Sequence, residues 1–79
     1  MDGLAVGRIV HYVAYGTPKG EYEQGARRAA IVVELSNKAD LASEGHCNLL
    51  VFNPTGMHFN WASYSEEPKP GTWHWPEKA

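Results

Sequence analysis

Short runs of β-branched and aromatic residues, separated by turn and loop segments, are the feature that most limits how this chain can fold. The runs cover residues 6–15, 27–35, 47–52, 57–64 and 72–75. Such runs are typical of β-strands, and nothing between them alternates with the strands as regular helices would. Four or five short strands in 79 residues predict one domain over residues 1–79. We expect a mainly all-β fold, a small antiparallel SH3-like barrel, closed or nearly closed, with at most one short helical turn.

The first run favours closure of the sheet because both of its faces are largely apolar. Strand alternation puts two sets on opposite faces: Ile9, His11, Val13 and Tyr15 on one, and Val10, Tyr12 and Ala14 on the other. A strand of this kind is covered on both sides or belongs to a sheet that curls onto itself. Two glycines and a proline in residues 16–20 then predict a loop.

The third and fourth runs are predicted to form a hairpin. Asn53, Pro54, Thr55 and Gly56 between them fit a type I turn. In the fourth run, Phe59 and Trp61 fall on one side of the strand, and His58 and Asn60 fall on the other. Residues 36–46 leave two alternatives open, because a single helical turn near 38–43 and a polar loop explain their composition equally well.

Charge, cysteine content and apolar run length exclude several classes of protein. Seven basic and nine acidic residues give a net charge of −2, which argues against a general nucleic-acid binder. The single cysteine, Cys47, excludes an internal disulfide framework and is expected to be a small buried residue in a reducing compartment. No apolar run approaches the ~20 residues that span a bilayer, and the N-terminus does not resemble a secretory signal. We expect a cytoplasmic protein without membrane contact.

Three segments together resemble a known group of sequences. They are residues 7–12, residues 28–32, and the closing run from Tyr64 to Glu77, which includes Thr-Trp-His-Trp-Pro. This pattern resembles a family of short uncharacterised proteins of tailed bacteriophages and prophages. The resemblance implies a phage origin and a product exposed to the host cytoplasm, and it brings no established activity.

Catalytic and metal-binding patterns are weak in this chain. His11, His58 and His74 lie on three predicted strands and would converge only if those strands were neighbours, and no short-range pair of zinc ligands is present. His46 and Cys47 are adjacent on a strand, so their side chains point to opposite faces and cannot form a nucleophile–base pair. We therefore expect no catalytic residues, no metal and no cofactor.

Aromatic residues favour a binding function. Three Trp, four Tyr and two Phe exceed what so small a core readily encloses, and surface rings supply rigid stacking area for planar ligands or protein partners. Arginine and lysine near such rings can hold phosphates, and two prolines stiffen the loop that carries Lys69. The predicted ligand-binding residues are His11, Tyr12, Tyr15, Lys19, Arg27, Arg28, Trp61, Tyr64, Lys69, Trp73, His74 and Trp75.

Two functions fit these observations. The first, which depends on the resemblance to phage proteins, is a non-enzymatic protein that sequesters a nucleotide-type signal of bacterial immunity. The second is an SH3-like protein-interaction module that inhibits a host protein or serves as a minor virion or adaptor component. Both predict a homo-oligomer, because a thin core, exposed rings and unpaired strand edges favour a symmetric assembly. Nucleic-acid binding is the least favoured function.

Overall fold

Five strands and one short helix make up the regular structure of the computed structural model, which describes residues 1–16 and 23–77. They are β1 (Ile9–Val13), β2 (Arg27–Leu35), α1 (Ala39–Ser43), β3 (Cys47–Asn53), β4 (Gly56–Ala62) and β5 (Trp73–His74). The prediction of a small, mainly antiparallel β fold is confirmed. Lys19, Tyr22 and most of the predicted loop at 16–20 lie outside the described residues.

The strands form one sheet in the order β4-β3-β2-β1-β5, and all of its strand pairs are antiparallel. The barrel expected from the sequence does not close within the described chain. β4 and β5 are the edge strands, and they approach each other through an isolated bridge between Tyr64, just beyond β4, and Trp73. β5 has only two residues because Pro70 and Gly71 precede it and Pro76 follows, so it is too short to form a ladder with β4.

The core lies on one face of this sheet, which we call the inner face. All five strands contribute buried side chains to it: Val10, Tyr12, Ala30, Val32, Cys47, Leu49, Val51, Ala62 and Trp73. Leu4, Tyr64 and Trp75 pack against this cluster from outside the strands. Along β2 and β3 the buried residues alternate with less buried ones, so the opposite face of the sheet, which we call the outer face, is less covered.

Residues 36–46 contain a helical turn, which settles the alternative that the sequence left open. α1 ends in a Schellman motif: the Gly45 N–H donates to the Ala42 carbonyl at 3.0 Å, and the His46 N–H donates to the Leu41 carbonyl at 3.0 Å. Gly45 has a φ of +74°, a conformation that glycine adopts without strain. No helix in the described part of the chain is long and apolar enough to cross a membrane.

The predicted hairpin of β3 and β4 is present, and Asn53 pairs with Gly56 across its tip. β2 pairs with β3 in regular register from Ala30 to Val32, and a bulge then shifts the register before Glu34. The bulge brings Glu34 opposite Asn48, which in turn lies opposite Trp61 on β4. A carboxylate and an indole ring are thereby placed at the same end of the sheet.

Candidate functional site

Two of the rings predicted to bind a ligand belong to the core instead. Tyr12 is 2% exposed and Trp73 is fully buried, so neither ring offers a face to a ligand. Trp73 packs edge-to-face against Tyr64 and Trp75, each with ring centroids 5.1 Å away, and both of those rings are half-buried. The physical reason is volume, because a thin sheet with alanine at two inner positions needs large rings to fill its core.

The predicted cations are scattered. Arg27 lies on the outer face, whereas Arg28 follows the inner-face alternation of β2 and is half-buried. Lys69 is exposed in the loop before β5, where its carbonyl accepts hydrogen bonds from the Thr72 hydroxyl and N–H. Tyr15 is exposed beside a different cavity, of about 200 Å³, which Tyr12 and His58 also line. The predicted ligand-binding set therefore does not assemble into one site among the described residues.

His11 and His74 do meet, because β1 and β5 are neighbours and pair these two residues in register. Their rings lie edge-to-face with centroids 5.8 Å apart. Glu77 joins them, with its Oε1 2.9 Å from His74 Nε2 and 3.7 Å from His11 Nδ1, and Arg27 Nε donates to the same oxygen at 2.8 Å. His58 takes no part, since its Nδ1 instead accepts a hydrogen bond from Asn53 Nδ2 at 2.9 Å.

This cluster has the residue types of a metal site, but its hydrogen bonds are those of a clasp, by which we mean a set of ion pairs that holds the C-terminal segment against the sheet. One ligand atom from each of His11, His74 and Glu77 lies within 4.8 Å of the others. A metal-bound histidine normally donates its second ring N–H to an acceptor, yet His74 Nδ1 is buried with no hydrogen-bond partner among the described residues. Glu77 Oε1 already accepts from His74 and Arg27, and these bonds hold the pKa of the Glu77 carboxyl below its usual value. The chemistry fits a clasp for the C-terminal segment better than a metal centre.

A groove at the other end of the sheet has the form of a ligand site. It has a volume of about 300 Å³ and lies between β2, α1 and β4. Trp61 forms one wall, and the His46 ring stacks on it with centroids 5.5 Å apart and planes 13° from parallel. His46 Nδ1 lies 2.9 Å from the Ser63 hydroxyl, which fixes the orientation of the stacked ring. The other lining residues include Glu34, Leu35, Asn37, Lys38 and Leu41.

Of the residues in this groove, only Trp61 was predicted from the sequence to bind a ligand. Glu34 reaches it through the bulge in β2, and Lys38 and Leu41 reach it through α1. The sequence did indicate a possible helical turn at 38–43. Its composition did not indicate that this turn would lie across the end of the sheet beside Trp61. The sequence pattern around His46 gives no signal for a binding role, because its only evident feature is adjacency to Cys47.

The outer face carries an apolar surface that crosses four strands. Ile9, Ile31, Leu50 and Phe59 are direct neighbours in register on β1, β2, β3 and β4. Ile9 is 60% exposed and Phe59 is 65% exposed, while Ile31 and Leu50 between them are half-buried. Three further exposed side chains, Phe52, Met57 and Trp61, extend the patch along β3 and β4. We call these seven residues the outer apolar patch.

Comparison with known proteins adds no relative to this description: no family model, no curated protein and no solved structure matches the chain.

Proposed function

We propose that this chain is a small non-enzymatic binding protein that holds a planar, nucleotide-type ligand in the groove beside Trp61. The observation that carries the proposal is the combination of a stacking ring with two opposite charges around one cavity of about 300 Å³. Ligand pockets of this kind are mostly apolar, contain a few polar groups, and begin at about this volume. Leu35 and Leu41 supply the apolar lining, and Glu34 and Lys38 supply the charges.

Each group has a role that matches one part of a nucleotide. The partly exposed face of Trp61 stacks on a base, an interaction that tolerates every base because each has a π-face. The Glu34 carboxylate accepts a hydrogen bond from an exocyclic amine, and the Lys38 ammonium pairs with a phosphate. Since the His46–Trp61 stack exists without ligand, little ordering cost remains at the moment of binding.

The resemblance to short phage proteins supports a biological setting for this binding. A phage product acting in the host cytoplasm gains by removing a nucleotide signal that the host uses in defence. Removal needs tight binding without turnover, and the stacking ring and the two charges of the groove are groups that bind a nucleotide. We therefore propose sequestration of an immune signal as the role of the site.

Calorimetry with a panel of cyclic mono-, di- and trinucleotides and ADP-ribose derivatives tests the proposal. At least one compound should bind with a Kd well below 1 mM, and Trp61→Ala should weaken that binding at least tenfold, because the stacking surface is lost. Lys38→Ala should also weaken binding, whereas Lys69→Ala, which removes an exposed lysine outside the groove, should leave it unchanged. Absence of binding across the panel would refute the proposal, as would equal effects of the two lysine variants.

The outer apolar patch favours a second candidate function, that of a protein-interaction module. Exposed Phe and Trp side chains on a rigid sheet have the character of interface anchors. This function predicts that the tagged chain recovers one host protein in stoichiometric amount. Phe59→Ser should abolish that recovery, whereas Lys38→Ala, at a residue outside the patch, should leave it unchanged. A ligand-sequestering protein should recover none.

A further inference from the structure

We infer that the outer apolar patch is a self-association surface, covered in solution by a second copy of this chain. The inference does not depend on the proposed ligand, because it concerns the face of the sheet and not the groove. Its starting point is the row Ile9, Ile31, Leu50 and Phe59, which runs across four strands without a polar interruption.

The size of the patch fits a dimer of small subunits. Its five most exposed members are Ile9, Phe52, Met57, Phe59 and Trp61, which are 39 to 65% exposed. With roughly 150–250 Å² for each large side chain, they leave about 600 Å² of apolar surface in water. That value is at the upper end for the largest patch of a typical monomer and approaches the ~800 Å² that each partner buries in a standard interface.

The shape of the patch suits face-to-face packing of two identical sheets. Two sheets pack with their strands nearly aligned at a separation of about 10 Å, and side chains from both faces interdigitate. A two-fold axis that lies between the two sheets and runs along the row would bring the row of one copy against the same row of the other copy. The interface is then isologous, and both exposed ends, Ile9 and Phe59, are covered at once.

Charge favours a second copy over a strongly charged partner. The patch itself contains no charged residue, and the outer face carries opposite charges at the two ends of β2, Arg27 at one and Glu34 at the other. A two-fold axis at the centre of β2 superimposes the arginine end of one copy on the glutamate end of the other. The net charge of −2 adds little repulsion between copies.

The arrangement would also bring the groove to the rim of the interface, since Trp61 belongs to both surfaces. Neither Ile9 nor Phe59 lines the groove, so variants at these two positions test association without altering the residues proposed to bind ligand. Failure of self-association and failure of ligand binding are therefore distinguishable.

Light scattering of the full chain, without ligand, is the primary test. Wild type should have twice its monomer mass of 8.8 kDa at working concentrations, and its Tm should rise with protein concentration. Ile9→Glu and Phe59→Glu should each lower the mass to that of a monomer. Tyr15→Glu is the matched control, because Tyr15 is 64% exposed but lies beside the cavity that Tyr12 and His58 line, and it should remain dimeric.

A second measurement applies even if the glutamate variants do not fold. Ile31→Cys should be joined rapidly into a covalent dimer by a short bis-maleimide, whereas Tyr15→Cys should not, and the native Cys47 is buried and should stay silent. A wild-type mass of 8.8 kDa up to about 1 mM would overturn the inference. So would a dimer that persists in both glutamate variants, or equal cross-linking at positions 31 and 15.

Discussion

Asn60 donates a hydrogen bond from Nδ2 to the Tyr12 hydroxyl oxygen at 2.6 Å, although their strands are separated by two others in the sheet. In a flat sheet, three steps of about 4.8 Å would hold β4 and β1 some 14 Å apart. The contact therefore requires the sheet to curl around its inner face. It also gives the buried hydroxyl of Tyr12 a partner, which a residue 2% exposed needs.

Removing the Tyr12 hydroxyl should destabilise the curled sheet and so lower the free energy of unfolding. Tyr12→Phe leaves the half-buried amide of Asn60 without its acceptor, so we expect a loss of about 1–2 kcal/mol in the free energy of unfolding. Urea denaturation measures the loss, and Tyr15→Phe, at an exposed position, should change stability by less than about 0.5 kcal/mol. Equal effects of the two variants would show that the Tyr12–Asn60 bond does not hold β1 and β4 together.

Burial also raises the pKa of Tyr12, with a smaller opposing effect from the Asn60 hydrogen bond. Since the pKa of the folded state lies above that of the unfolded state, the stabilisation is complete below about pH 10 and is lost as the pH rises. In an ultraviolet titration of wild type, Tyr12 should therefore ionise above the usual pH of a tyrosine, and Tyr12→Phe should remove that late ionisation.

Gly45 and Gly25 form a matched pair for separating backbone strain from crowding. Their φ angles are +74° and +83°, but a Cβ at Gly45 would lie 2.9 Å from Tyr64 Cβ, whereas one at Gly25 would meet nothing within 4 Å. Gly25→Ala should cost about 1–2 kcal/mol for the left-handed backbone alone. Gly45→Ala should cost a further ~1–3 kcal/mol for overpacking. Chemical denaturation of both variants tests this, and identical losses would argue against the tight contact of Gly45 with Tyr64.

Strand positions were predictable because runs of β-branched residues between turn signals depend only on local chemistry. The second run, 27–35, matches β2 residue for residue, and the hairpin at 53–56 follows from its turn residues. Which side of a strand faces the core was not predictable in the same way. Alternation separates Phe59 from Asn60, but it is the polar Asn60 side that faces inward, where Ala62 joins the core and Asn60 bonds to Tyr12. The meeting of His11 with His74 likewise depends on strand order, a non-local property.

Trp73 should tolerate substitution far less well than Trp61. The Trp73 ring is fully buried, and its Nε1–H donates to the Gly45 carbonyl at 2.8 Å. Trp73→Phe leaves both a cavity and a buried carbonyl without its donor, so we expect a loss of about 2–4 kcal/mol. Trp61→Phe, at a ring 43% exposed, should cost less than about 1 kcal/mol. Denaturation midpoints of the two variants should differ accordingly, and a small effect at Trp73 would contradict its place at the centre of the core.

Cys47 should be unreactive in the folded protein. Burial raises the pKa of its thiol to about 11, so almost no thiolate is present at pH 8. Ellman's reagent should react at the rate of unfolding in buffer and immediately in denaturant. Because the unfolded thiol ionises first, the stability that burial of the neutral thiol provides should fall as the pH rises from about 8.5 towards 11. Rapid labelling in buffer at pH 8 would show that β3 opens without global unfolding.

The stability that the Glu77 clasp contributes at the β1–β5 edge should fall at acid pH. The hydrogen bonds from His74 and then Arg27 lower the pKa of its carboxyl, so its stabilisation is present above the unfolded value, about 4.3, and is lost as the pH falls below it. Glu77→Gln should therefore have a lower Tm than wild type near neutral pH, and the difference should vanish at low pH.

The Tm difference at neutral pH should also become smaller with added salt, since the Glu77 and Arg27 side chains are each at least a third exposed. In an Arg27→Gln background a smaller acid-dependent difference should remain, because the His74 bond is still made. Thermal melts of wild type, the two single variants and the double variant between pH 3 and 7 measure these differences. A Glu77→Gln difference that stays constant across that range would show that the carboxylate charge does not hold the C-terminal segment.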